Sequence, residues 1–313
     1  MGPPRAKMAQ DENGGGRGLF DTIDALDAPL VEAYLRRLGV AAEPPSAEAL
    51  RSIVRRHAER VPYETLWIPA GERWSTDPTQ AAVRIALAGR GGYCYHLNGA
   101  LGLLLSSLGY DVHGHVGGVQ AGPPNPDAMG NHLALTVTGL PSEDNPSGTW
   151  YVDTGLGDAL HEPLPLVEGT YVQGPFRLTL EQPDDLSWTF THDPAGGFRT
   201  MTWTTGPARA SDFTARHEWL STAPESGFVR VPIAERRDAT GVDVVRGLVL
   251  SRIGTNAFTG EPITRPGEWF DALADVIGLR FETATSEWRN RLWEAVLSAH
   301  RAWEESQAAA VDP

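Results

Sequence analysis

Apolar residues recur at helical spacing along the first hundred residues of the chain. The pattern predicts helices at residues 27–38, 46–60 and 77–88, and Ser46 is a candidate N-cap for the second of them. Residues 95–108 are apolar on nearly every face, which is typical of a helix buried on most of its sides. The N-terminal third is therefore predicted to be helical, with one deeply buried helix.

The pattern changes after Gly109, where short runs of β-forming residues alternate with Gly, Pro and Asn. The predicted strands are residues 132–137, 150–153, 176–180, 186–190, 199–203 and 241–253. Helical spacing returns at residues 212–222, 269–277 and 285–308. Helices followed by strands and then by mixed elements indicate an α+β fold rather than a doubly wound parallel sheet.

With 313 residues, the chain is long enough for about two domains and a large core. Its first 18 residues are rich in Gly, Pro and charged residues, so we expect a disordered leader at residues 1–18. The rest divides into a helical segment at residues 19–108, a strand-rich segment at residues 109–210 and a mixed segment at residues 211–313.

The charge and cysteine content exclude several classes of protein. Lys and Arg total 26 against 40 Asp and Glu, and a net charge of −14 argues against a nucleic-acid partner. No apolar run approaches the roughly 18 residues of a membrane span, and no secretory signal is visible, so we expect a cytoplasmic protein with no membrane partner. The single cysteine excludes an intramolecular disulfide and a cysteine-rich zinc site.

Cys94 is a candidate nucleophile because it ends the sequence RGGYC, residues 90–94, immediately before the buried helix. The two glycines permit backbone conformations that other residues resist. At a helix N-terminus, free N–H groups and the helix dipole stabilise a thiolate and can receive an oxyanion. The alternative is that Cys94 packs as a small buried hydrophobic residue.

A thiolate nucleophile needs a base or an imidazolium partner, and that partner needs an orienting group. His132 opens the apolar run at residues 132–137, and Asp153 lies within the run WYVDTGLG at residues 150–157. A carboxylate among apolar strand residues is costly unless it is paired, so Asp153 is expected to have a partner. The alternative for His132 is an ordinary residue at a strand edge.

Other chemical signals are weak. His113 and His115 share one strand face, which could begin a metal site, but no nearby set of carboxylates or cysteines completes it. Neither a Walker sequence nor a strand followed by GxGxxG and a helix is present. We therefore expect no metal and no permanently bound cofactor.

Together these motifs resemble the arylamine N-acetyltransferases. RGGYC at residues 90–94 is similar to the family's Arg-Gly-Gly-aromatic-Cys, and His132 and Asp153 follow in the family's order. The resemblance runs from about residue 27 to residue 253. Further similar segments are VPYETL at residues 61–66, AERR at residues 234–237 and VVRG at residues 244–247.

The resemblance implies an α+β fold with an N-terminal helical bundle, a central β-barrel and a C-terminal α/β lid. It also implies that Cys94, His132 and Asp153 form a catalytic triad. In this mechanism Cys94 takes an acyl group from a thioester, most simply acetyl-CoA, and passes it to a small amine, hydroxylamine or hydrazine by ping-pong kinetics. Tyr63 and Leu156 match family positions that line the acceptor pocket.

Two residues near the site depart from the family's pattern. His96 stands where the family usually has Glu or Gln, so it could add a titratable base beside the nucleophile or simply hydrogen-bond within the helix. Leu156 replaces an aromatic residue, which predicts an acceptor pocket of different shape.

The acidic chain needs a local basic patch to bind coenzyme A phosphates or an acidic carrier protein. Arg236 and Arg237, with Arg230 and Arg246 nearby, are the candidates, although they could equally be solvated strand and turn residues. Two alternatives to an acetyl-CoA-dependent enzyme are open. One is an amide synthase that takes its acyl chain from a carrier protein, and the other is a non-catalytic binding relative, against which the intact triad argues.

Overall fold

The computed structural model describes residues 18–311, so residues 1–17 of the predicted leader lie outside the described residues. Its N-terminal part confirms the predicted helices and adds a short strand. The elements are a 3₁₀ helix at Phe20–Thr22, α1 at Ala28–Leu38, α2 at Ala47–Arg60, β1 at Tyr63–Glu64, α3 at Pro78–Ala88 and α4 at Cys94–Ser107. The side chain of Ser46 caps α2 by accepting a hydrogen bond from the Ala49 N–H, as predicted.

Helix α4 lies at the centre of the molecule. All its residues from Cys94 to Leu105 are buried, which confirms the prediction from its nearly uniform apolar surface. It packs against α3 on one side and against the first strands of a large sheet on the other. The residue at its N-terminus is therefore held between the helices and the sheet.

Eight antiparallel strands form a nearly closed barrel in the order β5-β4-β3-β2-β9-β8-β7-β6. They are β2 at Asp111–Gln120, β3 at His132–Thr138, β4 at Trp150–Val152, β5 at Leu164–Pro165, β6 at Gly169–Gln173, β7 at Phe176–Asp184, β8 at Ser187–Thr191 and β9 at Thr200–Thr204. Successive residues of β3 point to opposite faces of the sheet and pack into two different hydrophobic cores. Leu133 and Leu135 pack against the helices, whereas Ala134 belongs to the cluster inside the barrel.

The C-terminal part forms a second antiparallel sheet, in the order β1-β10-β11-β12-β13, together with helices. Its elements are α5 at Ser211–Thr222, α6 at Gly227–Arg230, β10 at Ile233–Asp238, β11 at Gly241–Arg246, β12 at Val249–Gly254, β13 at Phe258–Pro262, α7 at Pro266–Ala272 and α8 at Ser286–Val311. The single strand predicted at residues 241–253 is wrong. The chain reverses at Gly247, whose φ of 57° favours glycine, and the segment becomes the hairpin β11-β12.

Strand β1 joins the helical part to the second sheet. Tyr63 lies opposite Glu235 of β10, and Glu64 lies opposite Ala234. The Thr65 N–H donates to the Ile233 carbonyl oxygen at 2.9 Å. Two residues from the predicted helical segment therefore complete the C-terminal sheet.

Arg237 joins the second sheet to the barrel from inside the protein. Its side chain is only 2% exposed, and its guanidinium donates to backbone carbonyl oxygens of Ala159, Gln173, Gly174 and Gly241 at 2.8 to 3.2 Å. Burial lowers the pKa of Arg237 to about 10, so the group remains charged at neutral pH. The guanidinium thus satisfies carbonyls from the barrel and from β11 at the same time.

We expect Arg237→Met to lower the free energy of unfolding by about 3 kcal/mol or more, because several buried carbonyl groups lose their donor. Urea unfolding followed by circular dichroism measures the loss. Arg177→Met, on the exposed surface of the barrel strand β7, is the control and should change the same free energy by less than about 1 kcal/mol. Equal stability of the two variants would contradict a structural role for Arg237.

Candidate active site

The site is built on the first turn of α4. Cys94 is the first helical residue, has a free thiol and is 4% exposed. Gly92, two residues earlier, has a φ of 143°, which side chains resist, and a Cβ there would lie 2.6 Å from the side chain of His96. The sequence before Cys94 thus needs glycine for the turn that brings the thiol to the helix N-terminus.

His96 caps this helix rather than acting as a second base. Its Nδ1 accepts a hydrogen bond from the Tyr93 N–H at 3.4 Å, in the position where Glu or Gln closes a capping box. Burial holds the pKa of His96 well below its usual value, and the charges of Arg84 and His217 lower it further. The ring is therefore neutral and can accept the hydrogen bond.

His132 and Asp153 come together at the ends of two neighbouring strands. His132 is the first residue of β3, Asp153 follows β4, and the two strands pair antiparallel. The His132 Nε2 lies 2.7 Å from Asp153 Oδ2, and both side chains are almost completely buried. Cys94 interacts electrostatically with His132, and its Sγ lies 3.5 Å from the carbonyl oxygen of Asn131, the residue before His132, so the structure brings the three predicted residues together.

The charge of Asp153 sets the protonation of His132. Burial by itself would lower the pKa of His132, but the Asp153 carboxylate, its hydrogen bond and the Cys94 sulfur outweigh burial and raise that pKa to about 10. Because Nε2 faces Asp153, Nδ1 is the nitrogen left for Cys94. The imidazole therefore carries its proton at neutral pH, between the Asp153 carboxyl group and the Cys94 sulfur.

Each oxygen of Asp153 has two hydrogen-bond donors. Oδ2 accepts from His132 and from the Tyr151 hydroxyl at 2.9 Å, and Oδ1 accepts from Asn98 Nδ2 at 2.7 Å and from the Gly155 N–H at 2.9 Å. A buried carboxylate with this many donors remains ionised at low cost. The expectation that Asp153 would be paired is correct.

Asn98 is a site residue that the sequence analysis missed. Besides Asp153, its amide donates to the Leu133 carbonyl oxygen at 2.6 Å and accepts from the Thr154 N–H at 2.9 Å. Asn98 therefore ties α4 to β3 and to the turn after β4. The sequence carried a signal for this role, because Asn98 is a polar residue one turn after Cys94 on a helix whose buried residues are mostly apolar.

The loop before β3 lies against the nucleophile. The Cys94 Sγ is 3.5 Å from the Asn131 carbonyl oxygen, and the Tyr95 hydroxyl donates to the Gly130 carbonyl oxygen at 2.6 Å. The Asn131 amide makes two hydrogen bonds with the backbone of Val119 in β2, at 2.8 and 2.9 Å. These contacts fix the loop next to Cys94.

Tyr63 and Leu156 both lie near the three residues. Tyr63 is half-buried and its ring lies 6.3 Å from that of Phe228 in α6, while Leu156 is buried in the turn that follows Asp153. Burial raises the pKa of Tyr63 well above its usual value, and the neighbouring Cys94 sulfur and Glu235 carboxyl group raise it further. Phe228 and Glu235 were not predicted as site residues.

The predicted basic patch is not one surface, because Arg237 is buried on backbone carbonyls. The prediction that Arg237 binds the acyl donor is therefore wrong, because a guanidinium buried inside the protein cannot contact a phosphate group of a donor that binds at the surface. Arg236 is half-buried and lies 3.7 Å from Asp243, whereas Arg230 and Arg246 are exposed.

The two histidines considered for a metal lie in different environments. His115 is buried and its ring bonds the Thr136 hydroxyl at 2.8 Å, whereas His113 is exposed beside Asp111. Among the side chains that the structure describes, no group of three or more His, Cys, Asp or Glu is placed to hold a metal ion. Within residues 18–311, no helix has the length and apolar character needed to cross a membrane.

Comparison with known proteins identifies a matching family profile and several similar proteins. The sequence profile described as N-acetyltransferase matches residues 46–286. The chain is 32% identical over 207 residues to an arylamine N-acetyltransferase of Mycolicibacterium smegmatis, which covers 63% of this chain and 72% of that protein. It is 28% identical over 248 residues to the pineal gland isozyme NAT-3 of Gallus gallus, with 72% and 84% covered.

Solved structures agree in fold. The M. smegmatis arylamine N-acetyl transferase superposes with a TM-score of 0.74 at 25% identity, over 87% of this chain and 99% of that one. The Mycobacterium marinum arylamine N-acetyltransferase in complex with CoA also gives 0.74, at 24% identity, over 85% and 98%. The chain belongs to the arylamine N-acetyltransferase family, as its motifs predicted.

We expect Gly155→Ala to lower kcat/KM by about tenfold or more in an acetyl-transfer assay. A Cβ at this position would lie 2.7 Å from the Cα of Cys94 and 2.9 Å from Nδ2 of Asn98, so the turn that carries Asp153 must move away from the thiol. Gly122→Ala is the matched control, because nothing lies within 4 Å of a Cβ there. An active Gly155→Ala variant would contradict the importance of this close approach.

We expect iodoacetamide to alkylate Cys94 at nearly the same rate from about pH 6 to about pH 8, because His132 keeps its positive charge over that range and a cation beside a cysteine favours the thiolate form. A free thiol would react about tenfold faster for each pH unit in this range. The alkylation rate is measured by intact-mass spectrometry. His132→Gln should restore the steep dependence of a free thiol, and a steep dependence in the wild type would show that the ion pair is absent.

Proposed function

We propose that this protein transfers an acetyl group from acetyl-CoA to a small arylamine, hydroxylamine or hydrazine through a thioester on Cys94. The observation that carries the proposal is the buried chain of Cys94, His132 and Asp153, in which the pKa of the central imidazole is about 10. Membership in the arylamine N-acetyltransferase family supports the reaction class. The CoA complex of the M. marinum relative supports the donor.

In the first half-reaction, the Cys94 thiolate attacks the thioester carbonyl carbon of the donor. The oxygen of the tetrahedral intermediate becomes negative next to the first turn of α4, where helix N–H groups lack intrahelical acceptors. The intermediate collapses as the bond to the sulfur of coenzyme A breaks. The imidazolium of His132 gives its proton to the departing sulfur, and Cys94 carries the acetyl group.

In the second half-reaction, His132 is neutral and its Nδ1 can act as a base. The acceptor nitrogen attacks the acetyl-cysteine carbonyl while the imidazole takes the nitrogen's proton. Collapse of the intermediate breaks the bond to Cys94 and restores the pair of thiolate and imidazolium. Asp153, held in place by hydrogen bonds from Asn98, Tyr151 and Gly155, fixes the orientation of the His132 ring and stabilises the imidazolium.

Incubation with acetyl-CoA and no amine should add one acetyl mass to the protein, located on the peptide that contains Cys94. Addition of an aromatic amine should remove the acetyl group and release the acetylated amine in equal amount, since the acyl-enzyme is an intermediate. Intact-mass and peptide mass spectrometry measure both steps.

Cys94→Ala should accept no acetyl group, and full transfer activity in that variant would overturn the proposal. A panel of N-acetylcysteamine thioesters with different acyl chains tests which acyl groups Cys94 accepts, independently of the carrier that delivers them. Labelling of Cys94 by a longer acyl chain but not by acetyl-CoA would refute the proposed donor and favour an amide synthase.

A further inference from the structure

All the polar groups of Tyr93, the residue immediately before Cys94, form hydrogen bonds. The Tyr93 carbonyl oxygen accepts from the N–H groups of His96 and Leu97 at 2.8 and 3.0 Å, and the Tyr93 N–H donates to His96 Nδ1. The Tyr93 side chain is completely buried, and its hydroxyl is hydrogen-bonded to Nδ1 of His217 on α5. The backbone in front of the candidate nucleophile is therefore tied to α4 by its peptide groups and to α5 by its side chain.

The hydrogen bonds of His217 determine which ring nitrogen carries the proton. Nε2 lies 2.6 Å from the Trp74 carbonyl oxygen, which can only accept, so Nε2 is the protonated nitrogen. Burial lowers the pKa of His217 and the charge of Arg84 lowers it further, against the opposing effects of the Trp74 hydrogen bond and Glu218. The ring is therefore neutral at pH 7, and Nδ1 accepts the hydrogen bond from the Tyr93 hydroxyl.

Trp74 connects His217 to the start of the loop that ends in Cys94. The guanidinium of Arg90 lies over the Trp74 ring, 4.8 Å from the ring centre. Arg90 also donates to the two carboxylate oxygens of Glu64 at 2.8 and 3.2 Å, and the Glu64 N–H donates to the carbonyl oxygen of residue 92 at 2.9 Å. This series of contacts starts at residue 92 and returns, through His217, to the residue that follows it.

The turn enclosed by these contacts carries the groups that the proposed reaction needs. Cys94 and Tyr95 are the first two residues of α4, so their N–H groups have no acceptor within the helix. Such N–H groups can receive the negative oxygen of a tetrahedral intermediate. Because Tyr93 is bonded to Cys94, a shift of Tyr93 moves the thiol and these N–H groups together, and a misplacement of about 1 Å can cost about 100-fold in rate.

We propose that His217 is a positioning residue for the attack by Cys94. By accepting from the Tyr93 hydroxyl while it donates to the Trp74 carbonyl oxygen, it holds the first turn of α4 in the geometry that the tetrahedral intermediate requires. The inference rests on the proposed function, because it assigns a role in the same acyl transfer. His217 acts through Tyr93 and not on the reacting atoms.

The test measures single-turnover acylation of Cys94 by 4-nitrophenyl acetate, an activated ester that forms a tetrahedral intermediate without coenzyme A. Tyr93→Phe removes only the hydroxyl, and His217→Leu removes both ring nitrogens. Each change should lower the maximal acylation rate by about tenfold or more and leave the half-saturating ester concentration nearly unchanged. The double variant should be about as slow as the slower single variant, because both changes break the same hydrogen bond.

Two amide variants separate the two hydrogen bonds of His217. In His217→Asn the amide lies near the position of Nδ1 and offers an oxygen to the Tyr93 hydroxyl, so the maximal acylation rate should return to within about threefold of wild type. In His217→Gln the amide reaches instead toward the position of Nε2 and the Trp74 carbonyl oxygen. The acylation rate of this variant should stay as low as that of His217→Leu.

Controls separate positioning from stability and from the charge of the thiol. A residue that only anchored α5 would lower the free energy of unfolding without changing the acylation rate of the folded protein. Alkylation of Cys94 by iodoacetamide forms no oxyanion, so its rate at pH 7 should change by less than about twofold in His217→Leu. Tyr171→Phe removes a hydroxyl that donates to the Val167 carbonyl oxygen at 2.8 Å on the barrel, and it should leave the acylation rate unchanged.

Acylation at the wild-type rate in Tyr93→Phe and His217→Leu would overturn the inference. Equal losses of acylation and alkylation would also overturn it, as would an Asn variant as slow as His217→Leu. If His217→Leu does not fold, Tyr93→Phe decides the inference with the same measurements.

The proposed function is tested separately by acetyl-CoA. If acetyl-CoA fails to label Cys94 but the ester succeeds, the proposed donor is refuted and the ester still decides the role of His217. If neither reagent acylates Cys94 in the wild type, both the proposed function and the inference are wrong.

Discussion

The candidate site depends on one buried negative charge, the carboxylate of Asp153. This carboxylate receives hydrogen bonds from α4 through Asn98, from β3 through His132, from β4 through Tyr151 and from its own turn through Gly155. Each bond satisfies a charge that would be costly to bury alone. Helix, strands and turn are therefore held together by the same group that keeps the imidazole protonated.

The sequence predicted the elements that bury strongly periodic apolar faces. Helices α1 to α4 and most barrel strands follow directly from such patterns, and the motifs around Cys94, His132 and Asp153 identified the family. It did not predict β1, because two residues carry no periodicity and their pairing with β10 joins positions about 170 residues apart. The hairpin at Gly247 was not predicted because Val, Leu and Ile occur throughout both of its strands, so the run resembled one long strand.

The positions of charged side chains in the fold were harder to predict from the sequence than those of apolar side chains. Arg236 and Arg237 are neighbours in sequence, but adjacent strand residues point to opposite faces, so one meets Asp243 near the surface and the other binds carbonyls in the interior. Glu235, which directly precedes Arg236 in the sequence, lines a small cavity together with Tyr63. The sequence does not indicate which face of β10 is buried, since α2, β1 and the barrel residues that contact β10 are distant from it along the chain.

The pairing of β1 with β10 also constrains how the protein is made. The Glu64 N–H donates to the carbonyl oxygen of Gly92 in the turn before Cys94, and β1 is itself held by β10. During synthesis, the segment that supports this turn therefore stays without its sheet partner until residues 233–238 have left the ribosome. An unfinished chain carries the cysteine but lacks part of its supporting framework, so the surroundings of this thiol are completed only when most of the polypeptide exists.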